Sequence, residues 1–211
     1  MQLYVGQTAL RGEITAYARR FSLLELAAEP GALPRRSRLR GWRAETGEHF
    51  VFSVRLPSIV GRLEQGSARS EALERALGVA EALEARWLVL CTPAEETPCE
   101  QVRQRLRRLG AELGGGRQRI AWEARGLWED AQEEAMAREL DWVVVRDLRR
   151  RPSPPGDVVY TRLLALGSSS RQNEAGLARV AERIASKAEA FVLVEGGGGA
   201  RVRDYLARME P

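Results

Sequence analysis

Strand-like and helix-like runs alternate along the whole chain, and this alternation most constrains what the chain can fold into. Short runs with apolar residues at every second position are separated by longer runs with apolar residues at i, i+3 and i+4. Eight predicted strands follow one another in this way, nearly every one with a helix after it. Such an order favours right-handed crossovers and parallel strands. The pattern therefore predicts an α/β fold, a (β/α)8 TIM barrel, formed as a single domain over residues 1–211.

One crossover departs from this pattern. The segment LRRRPSPPGD at 148–157 is too rich in proline for a helix, because proline lacks the backbone N–H that a helix requires. We therefore expect a proline-rich loop in place of the sixth helix. The alternative fold is an open doubly wound sheet, which often carries G-x-G-x-x-G after its first strand. The first turn here, GQTALRGE, lacks that pattern, and the barrel is favoured.

Charge and composition exclude few functions. The 33 basic residues exceed the 29 acidic ones, but the two kinds are interspersed, which argues against a basic face for nucleic acid. Lys187 is the only lysine. No apolar run approaches the roughly 18 residues that span a bilayer, so no membrane partner is expected. The chain enters a strand at once without a targeting peptide, which predicts a cytoplasmic location.

Charged residues recur where the predicted strands end, and in a TIM barrel those ends line the ligand site. They are Glu25, Arg55, Glu123, Arg125, Arg146, Asp147, Arg162 and Glu195. Alternation places Glu123 with Arg125, and Tyr160 with Arg162, on shared faces of their strands. We expect these side chains to point into the mouth of the barrel.

Several arginines at one mouth suit a phosphate or a carboxylate, since each guanidinium offers two parallel donors. We predict that Arg55, Arg125 and Arg162 bind such an anion. Glu123 or Glu25 would then act as the acid/base group. The alternative is a core ion network without a substrate, because buried charges must pair in any case.

A glycine run, Gly196–Gly199, ends the eighth strand and leads into the last helix. Barrels often bind phosphate with the loops after strands seven and eight, at a helix N-terminus. Gly197 and Gly198 are therefore predicted to contact the anion, although a plain turn is the alternative. The lysine of a Walker motif is absent.

His49 is the only histidine, and it precedes the third strand, away from the expected mouth. Metal centres of barrel enzymes need several imidazoles, and a Ser-His or Cys-His pair needs one in the site. We therefore expect no metal site and no cofactor. The expected partner is a small anionic ligand.

Short motifs also occur in a fixed order: VGQTAL at the start, YARRFSLLELAAEPGALP (Tyr17–Pro34), Trp42 with Thr46, FVFSVRLPSI (Phe50–Ile59), AWEARGLW (Ala121–Trp128) and VYTRLLALG (Val159–Gly167). This ordered set resembles the YecE-like family, catalogued as domain of unknown function 72. The resemblance implies a TIM barrel without an established activity. Glu25, Arg55 (in place of lysine), Glu123, Arg125 and Arg162 match charged positions of the family's motifs.

Other positions depart from those motifs. Glycine or leucine stands where the resemblance implies histidines, at Gly61, Gly126 and Leu164, and Ala27 stands in place of an asparagine. This copy is therefore divergent. Two alternative functions follow: a non-catalytic scaffold or binding protein that has lost the family's polar site, and, less favoured, a nucleic-acid-binding barrel that uses the arginines at 149–151 and 35–43.

Overall fold

Eight parallel strands form a closed barrel in the order β1-β2-β3-β4-β5-β6-β7-β8, in a computed structural model that describes residues 1–31, 33–164 and 173–209. The strands are β1 (Gln2–Gln7), β2 (Leu23–Ala27), β3 (Val51–Arg55), β4 (Trp87–Thr92), β5 (Arg119–Ala124), β6 (Val143–Arg146), β7 (Val158–Leu163) and β8 (Glu189–Val194). The helices are α1 (Ile14–Ala18), α2 (Arg36–Thr46), α3 (Ser58–Gly61), α4 (Ser67–Ala82), α5 (Glu100–Leu113), α6 (Asp130–Glu139), α7 (Glu174–Ile184) and α8 (Gly199–Ala207). The predicted fold class is confirmed.

The proline-rich crossover is confirmed as well, because β7 follows β6 without an intervening helix. Cationic side chains of the segment that follows β7 satisfy carbonyls of this loop. Arg183 Nη1 donates to the carbonyls of Leu148 and Arg151, at 2.5 and 2.7 Å, and Lys187 Nζ donates to two further loop carbonyls at 2.7 Å each. The hydrogen bonds that a helix between β6 and β7 would have made internally are therefore replaced in part by side-chain donors.

The chain packs as two compact units. Unit 1 comprises Met1–Glu25, Thr46–Val51 and Val145–Pro211, and unit 2 comprises Leu26–Glu45 and Phe52–Val144. The boundaries between them fall inside β2, α2, β3 and β6. The single-domain assignment stays a prediction. No helix within the described ranges is both long and apolar enough to cross a bilayer.

In unit 1, the core lies between the strands β1, β7 and β8 and the helices α7 and α8. Apolar residues recur at i, i+3 and i+7 on α7, namely Leu177, Val180 and Ile184, and they pack against strand residues such as Val192. Burying side chains of this size contributes about 1.5–3 kcal/mol each. The amphipathic pattern thus fixes which side of the helix meets the sheet.

In unit 2, tryptophans contribute much of the core. Trp87 and Trp122 are fully buried, and the Trp122 ring meets the Trp128 ring edge to face at 4.9 Å between centroids. The Trp122 indole Nε1 donates to Thr92 Oγ1 at 3.1 Å, so its buried polar atom is satisfied. The apolar positions of the fifth strand, Trp122 among them, therefore pack on the side of β5 opposite to its charged positions.

β1 and β2 approach each other closely at Gly6. The two strands pair in parallel with Gly6 opposite Leu23. A Cβ atom added to Gly6 would lie 1.9 Å from the Leu23 carbonyl oxygen, which is far inside van der Waals contact. Only a residue without a side chain allows this strand pairing.

Gly6→Ala is expected to lower the free energy of unfolding by about 3 kcal/mol, because the two strands must separate to admit a methyl group. Gly115→Ala is the matched control, since a Cβ atom there meets nothing within 4 Å. Chemical denaturation of both variants measures the difference. Equal stabilities would contradict the close approach of β1 and β2.

Candidate functional site

A buried ion pair joins the end of β2 to β7 within unit 1. The Arg162 guanidinium donates through both terminal nitrogens to the Glu25 carboxylate, at 2.8 Å each. Each side chain is only 1% exposed. Tyr160 donates its hydroxyl to Glu25 Oε2 at 3.1 Å. Tyr160 and Arg162 therefore lie on the same side of β7, as the alternation of side chains along the strand predicted.

Glu195 is the part of this cluster that solvent reaches. It follows the last residue of β8, its Oε1 lies 3.4 Å from Arg162 Nη1, and its side chain is 25% exposed. Two carboxylates then share one guanidinium, which gives these three groups a formal net charge of −1. The guanidinium of Arg162 is occupied by protein carboxylates. The group of this cluster that a ligand can reach is the Glu195 carboxylate, which accepts hydrogen bonds.

A second charged cluster lies in unit 2, at the carboxyl ends of β4 and β5. Glu123 Oε1 accepts a hydrogen bond from Arg125 Nε at 2.9 Å, and Glu123 Oε2 accepts one from the Cys91 thiol at 3.4 Å. The Glu123 side chain is 12% exposed and that of Arg125 is 48% exposed. The pairing of Cys91 with Glu123 across β4 and β5 produces this contact, which the periodicity within a single strand does not reveal.

Arg55, the third predicted anion-binding arginine, is half-buried in unit 2 as the last residue of β3. Its backbone carbonyl accepts a hydrogen bond from the N–H of Ala28 at 2.9 Å. The structure thus gathers Glu25 and Arg162 in unit 1, and Glu123 and Arg125 in unit 2. Binding by Arg55, Arg125 and Arg162 stays a prediction.

The glycine run lines a cavity of about 340 Å³ in unit 1. Gly197 and Gly198 contribute to its wall, together with Gln7 at the end of β1 and Arg11 in the loop that follows. Gly198 is the N-cap of α8 and has φ 91°, a left-handed conformation that favours glycine. The start of α8 offers unpaired N–H groups and the positive end of the helix dipole to this cavity.

Tyr17 fixes the cavity wall. Its hydroxyl accepts a hydrogen bond from the N–H of Gln7 and donates one to the carbonyl of Leu23, both at 2.8 Å. Burial raises the pKa of the Tyr17 phenol, with a smaller opposing effect from the hydrogen bond of Gln7. The phenol therefore stays neutral and serves as a structural link between β1 and β2.

Two of the positions where the resemblance implies histidine have no room for any side chain. A Cβ atom at Gly61 would lie 2.0 Å from the Cys91 carbonyl oxygen, and one at Gly126 would lie 2.6 Å from that of Glu96. Trp128 Nε1 donates to the same Glu96 carbonyl at 2.7 Å. The backbone itself closes over these positions.

Within residues 1–31, 33–164 and 173–209, no group of three or more His, Cys, Asp or Glu residues could hold a metal ion. The arginine cluster of the proline-rich loop is partly internal. Arg149 is 9% exposed, and its Nη2 donates to the Asp147 carboxylate and to the carbonyl of Leu164. This guanidinium is therefore not presented to a nucleic-acid backbone.

A closed barrel of eight parallel strands, with acids and arginines at the carboxyl ends of the strands, defines a TIM-barrel protein. The family model described as "Protein of unknown function DUF72" matches residues 1–207, so the chain belongs to this family, as its motif order predicted. No curated protein matches the chain in sequence.

Solved structures agree on the fold. A DUF72 family protein from Enterococcus faecalis V583 is similar with a TM-score of 0.74 and 16% identity, over 99% of this chain and 96% of that one. A DUF72 family protein from Thermotoga maritima MSB8 is similar with a TM-score of 0.72 and 14% identity, over 99% and 98%. D-psicose 3-epimerase with D-tagatose, from Clostridium cellulolyticum H10, is similar with a TM-score of 0.60 and 13% identity, over 99% and 95%.

The two glutamates at the strand ends are expected to differ in their effect on stability. Glu25→Gln leaves the Arg162 charge buried without its full partner and should lower the free energy of unfolding by about 3 kcal/mol. Glu123→Gln should cost less than about 1 kcal/mol, because its partner Arg125 is half exposed. Urea denaturation measures both.

A double variant, Glu25→Gln with Arg162→Met, serves as the control. It removes both charges and should recover part of the loss of Glu25→Gln. Additive losses in the double variant would contradict a coupled ion pair.

Proposed function

We propose that unit 1 binds a small anion that also carries hydroxyl groups, such as a sugar phosphate or a hydroxy acid. The observation that carries the proposal is that a hydrogen-bond acceptor and a set of hydrogen-bond donors lie close together in the chain after β8. Glu195, an acceptor, directly follows the strand, and the N-terminus of α8, a donor, begins four residues later. One small molecule with an anionic end and a hydroxylated end matches both.

The anionic end of the ligand is assigned to Gly197, Gly198 and the start of α8. Helix N-termini bind phosphates and carboxylates because their free N–H groups and the helix dipole both favour negative charge. Arg11, which is exposed in the same cavity, adds a cation. A cavity of about 340 Å³ lies within the range of small-ligand sites.

The hydroxylated end of the ligand is assigned to Glu195. Because Arg162 is already held by Glu25, the cluster repels a second anion and accepts hydrogen bonds from hydroxyl groups. Tyr160 holds Glu25, and Glu25 holds Arg162, which in turn positions Glu195. The similarity in fold to an epimerase whose structure contains D-tagatose supports a hydroxylated ligand, although the chemistry of that enzyme is its own.

The test is calorimetric titration with D-gluconate and D-glucose 6-phosphate, compared with D-glucose and with inorganic phosphate. The two hydroxylated anions should bind more tightly than either the neutral sugar or phosphate alone. Arg11→Gln should raise their dissociation constants about tenfold, since a charge-assisted hydrogen bond is lost.

Arg208→Gln is the matched control for that variant. Arg208 is an exposed arginine at the other end of α8, and its replacement by glutamine removes the same charge. Glu195→Gln should weaken the binding of D-gluconate more than the binding of phosphate. Equal binding of all four compounds, or equal effects of Arg11→Gln and Arg208→Gln, would contradict the proposal and favour a scaffold.

A second candidate function, acid/base chemistry by Glu123, is favoured by one observation in unit 2. Its carboxylate is held from two sides by Arg125 and Cys91, yet remains partly open to solvent. A carboxylate held in place in this way can accept a proton from a carbon next to a carbonyl group and return it.

That activity can be tested without knowing the substrate. Ketoses and hydroxy acids incubated with the protein in D2O should exchange the proton next to the carbonyl carbon for deuterium, which proton NMR detects as loss of signal. Glu123→Gln should abolish the exchange while the protein stays folded. Exchange that persists in the variant would exclude Glu123 as the base.

A further inference from the structure

Unit 1 contains a second cleft, of about 380 Å³, at the amino ends of its strands. Its lining includes Leu3 at the start of β1, Phe21 just before β2 and Phe50 just before β3, with Ala207 from the end of α8. These positions are at the opposite ends of the strands from Glu25 and Glu195. Phe21 and Arg20 also line the cavity at the glycine run, so the two cavities are neighbours that share part of one wall.

The floor of this cleft is apolar. Phe21 and Phe50 are each 5% exposed, and Val5 beside them is 3% exposed. The Tyr17 ring packs against both phenylalanines, with centroid distances of 4.9 and 6.1 Å, which holds the two rings in place. A rigid apolar floor of this kind suits a flat or aliphatic body rather than a hydrated ion.

The rim of the cleft is cationic. Arg19, Arg20 and Arg203 line it, and no carboxylate does so among the described residues that form its wall. The guanidinium carbons of Arg20 and Arg203 lie 5.6 and 5.9 Å from the centre of the same Phe21 ring. Two positive charges thus converge beside the apolar floor.

One of these arginines is held in position by the protein itself. Arg203 Nη1 donates to the backbone carbonyl of Arg20 at 2.8 Å, and Arg203 Nε donates to Asp204 at 2.9 Å. Because Asp204 neutralises Arg203, the unbalanced charge of the rim comes from Arg19 and Arg20, both of which are exposed. An anionic group entering the cleft meets these two first.

We propose that this cleft binds an amphipathic carboxylate, with its apolar body on Phe21 and Phe50 and its carboxylate at Arg19 and Arg20. The charge of the rim selects an acid over its neutral analogue, and the floor selects an apolar body over a hydroxylated one. Such a ligand differs in chemistry from the hydroxylated anion assigned to the carboxyl ends of the strands, so ligand preference distinguishes the two sites.

The experiment uses three probes in protein-observed NMR titrations at low salt: 3-phenylpropionate, its neutral amide 3-phenylpropanamide, and acetate. The acid should bind with a dissociation constant of about 4 mM, as its eleven non-hydrogen atoms allow at roughly 0.3 kcal/mol each. The amide and acetate should each bind at least about threefold more weakly, since each lacks one of the two contacts.

Two variants locate the site. Ala207→Trp fills the cleft from an exposed position and should abolish binding of 3-phenylpropionate without removing a charge. Arg19→Gln should raise the dissociation constant roughly threefold to fivefold, as expected for an exposed ion pair. Arg11→Gln is the matched control, because Arg11 lines only the other cavity, and it should leave 3-phenylpropionate binding unchanged.

Equal affinities for the acid and the amide, unchanged binding in Ala207→Trp, or no binding of the acid at concentrations near 20 times the expected constant would each overturn this proposal. None of these outcomes depends on whether the protein binds D-gluconate, the probe of the proposed function. Arg19 and Ala207 line only this cleft and Arg11 lines only the other cavity, so the variants report on the two sites separately.

Discussion

The Glu25–Arg162 ion pair is the interaction on which the interior of unit 1 depends. Both groups are shielded from water, and a single buried charge would cost several kcal/mol. The pair is tolerated because the guanidinium meets the carboxylate with two parallel hydrogen bonds and Tyr160 supplies a third. The requirement that both charges be present links β2 to β7, two strands far apart in the chain.

This pairing also decides the chemistry of the neighbouring surface. An arginine at the end of a barrel strand suggests an anion site, but an arginine already held by one carboxylate leaves a second carboxylate, Glu195, as the exposed group. In the proposed function, attraction for an anion therefore falls to the glycine run after Glu195 and to Arg11 in the loop after β1. The same strand end thus separates a region that accepts hydrogen bonds from one that donates them, which is the arrangement that orients a polar ligand.

The sequence predicted the architecture well because periodicity is a local property. Strand and helix spacing predicted the order of elements and the absence of a helix between β6 and β7. Alternation placed Tyr160 and Arg162 on the same side of β7. The partner of Arg162 could not be predicted, since alternation tells which side of a strand a residue occupies but not which distant strand it meets. The four-residue helix α3 was missed because it is shorter than a helical period can reveal, and the cleft at the amino ends was missed because its arginines come from separate segments.

Gly61 and Gly126 have a consequence for any attempt to engineer this chain. Each occupies a place where the backbone of another segment has moved in as close as van der Waals packing permits. A substitution that placed a larger residue at either position would meet a carbonyl oxygen and destabilise the fold. An imidazole could be grafted onto these loops only after their backbones were redesigned, so any new side-chain chemistry in unit 2 would have to be built at other positions.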